Sequence, residues 1–166
     1  MKNRTSLMLI NALLLITVVA VTAASAQQKM HDDASCVANS MTIAQINHAQ
    51  RATAAFHSVQ AAERAGYTNI NLPVPNMGEH WVNFDLVDDV FEPDKPEALV
   101  YADLGSGRLQ LVAVEYLVPL SANPPEGFEG TCDQWTPFGD VFWTLHAWVW
   151  YPNISGTFSK FNPLVP

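Results

Sequence analysis

One stretch constrains the fold more than any other. Residues 141–151 read Val-Phe-Trp-Thr-Leu-His-Ala-Trp-Val-Trp-Tyr. The β-branched and aromatic richness is that of a strand, and the run is too apolar for a loop. Alternation with period two puts Phe142, Thr144, His146, Trp148 and Trp150 on one face. Val141, Trp143, Leu145, Ala147, Val149 and Tyr151 take the other. Both faces are apolar, so an inner strand is expected, with the titratable imidazole of His146 set among aromatics.

An inner strand needs neighbours. Residues 98–103 and 108–118 are two β-rich runs flanking Leu104-Gly105-Ser106-Gly107, a hairpin signal. In the second run Leu109, Leu111, Ala113, Glu115 and Leu117 share a face by alternation, which sets Glu115 among aliphatics. Residues 78–84 form a short strand placing His80, Val82 and Phe84 together. Residues 67–77, with Pro73 and Pro75, read as an extended crossing. Residues 85–97 and 119–137 carry Pro and read as surface loops, the first of them acidic and without an EF-hand pattern. Residues 41–65 lack Pro and Gly and predict one helix, with Ser40 as N-cap and Gly66 as the stop. Ile43, Ile46, Thr53, Phe56, His57 and Gln60 fall along its inner side, with His48 away from it. The expected fold is α+β: this helix packed on a curved antiparallel sheet, either open or closing toward a small barrel.

The chain opens with Lys2 and Arg4, continues nearly all apolar to Ala24, and reaches Ala24-Ser25-Ala26. This is the order of a secretory signal peptide, so residues 1–26 are expected to be cleaved and the protein exported, periplasmic or extracellular. Residues 27–40 are polar without periodicity and read as a loose tail, and residues 41–166 as a single domain. Cleavage removes two bases and moves the formal charge from −8 to −10. A surface this acidic repels phosphate backbones and anionic headgroups, so neither nucleic acid nor membrane is an expected partner of the mature chain. In an oxidising compartment Cys36 and Cys132 are expected to form one disulfide. Asn153-Ile154-Ser155 is a formal glycosylation sequon.

Chemistry is narrowed by the shortage of bases. An ionised Glu115 in an apolar interior must protonate, pair or bind a cation. Arg108 is the one Lys or Arg in the predicted sheet, seven residues away on the same strand and too far to reach along it. A histidine on a neighbouring strand, or a metal, is the natural partner. His80, Glu115 and His146 therefore form a candidate ligand set for a divalent transition metal. His57 could reach the set from the helix, as a fourth ligand or a supporting group. Each of these residues also has a plain structural reading, as a core histidine or a solvated carboxylate. The aromatics Trp81, Tyr116, Trp148 and Trp150 are either core or the wall of a pocket for a small apolar ligand. No H-E-x-x-H, G-x-S-x-G, G-x-G-x-x-G or P-loop pattern is present, so no catalytic residue is assigned.

Several segments together resemble a family of uncharacterised exported bacterial proteins. They are Phe56-His57 through Tyr67, Met77-Gly78-Glu79-His80-Trp81-Val82-Asn83, Val114-Glu115-Tyr116 and Leu145-His146-Ala147-Trp148, with Pro96 to Tyr101, Asn153 to Gly156 and Phe161-Asn162-Pro163. The resemblance covers most of the mature chain. It brings no established activity, and implies only that His57, His80, Glu115 and His146 lie within family motifs. Three function classes follow: a metal-binding protein, enzymatic or not; a non-catalytic module for a small apolar ligand; and a structural envelope protein.

Overall fold

The computed structural model describes residues 38–166. The expected signal peptide, most of the polar tail and Cys36 lie outside the described residues. Asn39 opens the first helix: its side chain accepts from the N–H groups of Met41 and Thr42, and the Thr42 hydroxyl accepts from the Asn39 N–H, a capping box. Helix α1 is Ser40–Thr53, a 3-10 turn covers Ala54–His57, and α2 is Val59–Arg64. The predicted single helix is thus capped one residue earlier and broken near its end. Two local bonds explain the break. The Thr53 hydroxyl donates to the Ala49 carbonyl at 2.7 Å, a back-bond that loosens the helical ladder. Ser58 then adopts extended backbone and caps α2 through the Ala61 N–H. Gly66, at φ 96°, sits just past α2, where the left-handed conformation favours glycine.

The buried stripe of α1 is made of small residues, Thr42, Ala49 and Thr53, with Ile46 half-buried. Ile43, expected inside, is exposed. Small side chains let the helix lie close to the sheet, and Ile43 falls outside that narrow stripe.

Six strands follow: β1 Thr68–Val74, β2 Gly78–Val82, β3 Ala98–Asp103, β4 Leu109–Pro119, β5 Thr136–Phe138 and β6 Phe142–Ala147. All pair antiparallel in the order β1-β2-β3-β4-β6-β5. The sheet curls into a half-barrel with β1 and β5 as its two edges, so the α+β expectation with a curved sheet is met. Pro73 is tolerated in β1 because β1 is an edge strand. β5 lies at the end of the segment expected to be all loop. Phe84 leaves β2 for a 3-10 turn and is exposed. Gly78 is required where β2 lies tight on β3: a Cβ there would stand 2.4 Å from the Tyr101 carbonyl oxygen.

A bulge in the central hairpin decides which side chains meet. Val100 pairs with Ala113 and Tyr101 with Leu111, so Val112 is extra. Leu109 and Leu111 therefore face the helix, while Ala113, Glu115 and Leu117 face the other way. The simple alternation expected for this strand fails at that point. The Val112 carbonyl then accepts from the N–H groups of both Trp150 and Tyr151, at 3.2 and 3.0 Å, where the chain has left β6. That is why the strand expected to reach Tyr151 stops at Ala147.

The helix-facing side holds the main core, where Leu99, Tyr101, Val114, Tyr116 and Leu145 are fully buried. Each such aliphatic contributes about 1.5–3 kcal/mol. The opposite side, toward which the sheet curls, is less filled. All described residues belong to one compact unit. Among them no helix is long and apolar enough to cross a membrane.

Candidate metal centre

Register places the three candidate ligands on one face. Val82, Ala98, Glu115 and His146 are paired in a row across β2, β3, β4 and β6. His80 stands two residues from Val82, on the same side, opposite Val100. Between His80 and Glu115 the intervening strand offers only the short side chains of Ala98 and Val100, which leave room to reach across. A flat sheet would separate β2 and β6 by three strand spacings, about 14 Å. Yet His80 Nε2 and His146 Nε2 are 3.4 Å apart. The curl of the sheet closes that gap, so the half-barrel itself builds the site.

Glu115 Oε2 lies 3.5 Å from His80 Nε2, and Glu115 Oε1 lies 3.4 Å from His146 Nδ1. All three residues are buried. The imidazoles meet nearly at right angles. Trp148 lies against His146 almost parallel, with ring centroids 6.2 Å apart, and its indole N–H donates to the Ser159 carbonyl at 2.6 Å.

At 3.4–3.5 Å the separations are long for hydrogen bonds involving these atoms. His146 turns Nε2 toward His80 and Nδ1 toward Glu115, so a shared ion would take one of these two nitrogens and the ring would adjust about it. One nitrogen or oxygen from each residue falls within 4.8 Å of the others. The buried group His80, Glu115 and His146 can therefore hold a metal ion.

The electrostatics of the group follow from its burial. Burial pushes the Glu115 carboxyl up to about 8, opposed by the Thr144 hydroxyl and the charge of Lys160. Burial pushes His146 down to about 3, with His80 and Lys160 adding to the effect. His80 is lowered by burial, offset in part by the backbone of Leu72. Near neutrality the ion-free cluster is two neutral imidazoles and a carboxyl that resists ionising. Neutral imidazole is the form that ligates, and a cation restores the favourable state of the carboxylate.

His57 is not brought into this group. It is exposed in the 3-10 turn on the helix side, edge-on to Trp150 at 4.3 Å. The helix that carries it packs against the face opposite Glu115. The four aromatics expected as a pocket wall are also placed elsewhere. Trp81 packs on Tyr101, Tyr116 on Phe91 and Phe128, and Trp150 donates its indole N–H to the Thr53 hydroxyl, all on the helix side. Trp150 parts from His146 because the chain leaves the ladder after Ala147. Trp148 stays with His146 but lies behind it.

A cavity of about 170 Å³ opens in front of His80 and Glu115. It occupies the seam between the two sheet edges, with Ile70, Leu72 and Val74 from β1 on one side and Phe138 from β5 on the other. Lys160 and Phe161 of the C-terminal tail close it. Sequence reasoning missed these residues. Ile70, Leu72 and Val74 do alternate, a strand signal that Pro73 and Pro75 obscured; Lys160 and Phe161 carry no local signal at all. Comparison of the chain with protein-family models, curated proteins and solved structures returns no match.

Proposed function

We propose that this protein is an exported metal-binding protein that holds one divalent transition-metal ion on His80, Glu115 and His146. The observation that supports it most is the convergence of two imidazoles and one carboxylate from three different strands, with one ligand atom of each within 4.8 Å of the others. Two imidazoles and one carboxylate are a donor set for Zn, Fe, Mn, Ni or Cu rather than Ca or Mg. Three protein ligands leave coordination positions for water or a small molecule, the pattern of reactive rather than purely structural sites. Such an ion supplies Lewis acidity or a redox centre to whatever occupies the neighbouring cavity. Within that frame His80 and His146 bind as neutral imidazoles and Glu115 supplies the negative charge.

A second reading is a non-catalytic module that holds a small apolar ligand, and the apolar wall of the cavity favours it. Elemental analysis separates the two. Mature protein purified from the exported fraction without chelator should carry about one transition-metal ion per chain, following the single such cluster among the described residues. A His146→Ala variant that keeps the native circular dichroism should carry none. Protein without metal, even after reconstitution, would leave the second reading in place.

A further inference from the structure

The cavity has a chemistry of its own. Its wall is apolar, and four of its large apolar side chains are at least partly open to solvent: Ile70, Leu72, Phe138 and Phe161. Exposed apolar groups gathered round one opening mark a binding mouth rather than ordinary surface. The one Lys or Arg among the lining residues is Lys160. It is half-buried, makes no ion pair with any described residue, and its ammonium lies over the Phe161 ring, 5.6 Å from the centroid. The one carboxylate in the lining is Glu115; with that carboxylate engaged by the ion, Lys160 is left to receive an anion from outside.

We propose that the cavity binds a small monocarboxylate with an apolar body, its carboxylate between the metal and Lys160 and its body against Ile70, Leu72, Phe138 and Phe161. This rests on the metal-binding reading above, since the ion supplies half of the carboxylate's partners. Size sets the class. A dry cavity of about 150 Å³ accepts benzene, so a volume of about 170 Å³ fits one ring or a short chain. Benzoate and hexanoate are the matching probes. Acetate lacks the body, and benzyl alcohol and hexanol lack the charge.

The test is calorimetric titration of these five compounds into zinc-loaded protein, its zinc content measured beforehand. Benzoate or hexanoate should bind about tenfold or more tightly than the matching alcohol. Hexanoate should exceed acetate by about a hundredfold through its extra buried methylenes. Lys160→Met should cost the carboxylates about tenfold and leave the alcohols unchanged. Phe138→Glu, at a position half exposed and so safe for folding, should weaken carboxylate binding while zinc stays bound. Zinc-loaded protein that binds acetate as well as hexanoate, or alcohols as well as carboxylates, would overturn the ligand assignment and leave the metal site standing. The same holds if neither variant changes binding. Protein that takes up no zinc would bring down both.

Discussion

The two faces of the sheet treat their polar groups in opposite ways. On the helix side the tyrosines act as anchors. Tyr67, Tyr101 and Tyr116 donate to the backbone carbonyls of Pro96, Phe56 and Pro93 at 2.7, 2.5 and 2.8 Å. Their rings interlock edge to face with Phe56, Trp81 and Phe91. The exceptions on that side are the indole N–H groups of Trp81 and Trp135, buried without a hydrogen-bond partner among the described residues. On the concave side His80, Glu115 and His146 turn toward one another and toward a cavity. Each tyrosine hydroxyl tethers a loop or turn to the sheet. The three residues opposite face one another across the concave side instead, which is what marks them as a site.

The largest test of this contrast is truncation on the packed face. Tyr116→Ala should cost about 3–5 kcal/mol in denaturant unfolding, from lost burial plus the cavity left behind. It should leave metal stoichiometry unchanged in whatever fraction folds. An equally large loss of metal from the folded fraction would mean the two faces are not separable.

The next test is pH. Burial raises Glu115 to about 8 and Glu97 to about 7, above their ordinary value of 4.5. Their contribution to stability is complete below about pH 4.5 and is lost as pH rises through those folded values. His146 and His80 are lowered below 6.5, so their contribution is complete above that pH and is lost as pH falls, for His146 toward 3. Ion-free protein should therefore have its highest melting temperature between about pH 4.5 and 6.5. Zinc binds the ionised carboxyl, so adding it should move the maximum upward and release a proton. A maximum that stays in place with zinc would contradict the role given to Glu115. Glu115→Gln sharpens the point: ion-free, it should be about 1–3 kcal/mol more stable than wild type near pH 9, and it should bind zinc weakly.

The smallest effect belongs to a single anchor. Tyr101→Phe should cost about 1 kcal/mol, the net worth of one hydrogen bond to the Phe56 carbonyl, with zinc affinity unchanged. A clear change in zinc affinity would show that the helix side tunes the site through β3.

The strands that form the site were legible because their side chains are β-branched, aromatic and bounded by turn residues. His80, Glu115 and His146 stood out as polar groups in apolar runs, and their convergence could be expected though not measured. What stayed hidden depends on geometry without a local signature. The bulge at Val112 turns Leu109 and Leu111 away from Glu115, and no residue type there announces it. The curl that brings β6 to β2 is a property of the whole sheet. His57 looked eligible from its helical position, yet which sheet face the helix covers is a tertiary fact. Glu97 was read as part of an acidic surface loop. It is buried and accepts the Leu117 N–H at 3.0 Å, because the loop ends against the sheet.

The most direct test of the account is anomalous diffraction from crystals of the mature protein grown without chelator and loaded with zinc. The account predicts one strong peak about 2.0–2.2 Å from His80 Nε2, a Glu115 carboxylate oxygen and one nitrogen of His146. A peak elsewhere, or none beside these three with the cluster intact, would contradict it.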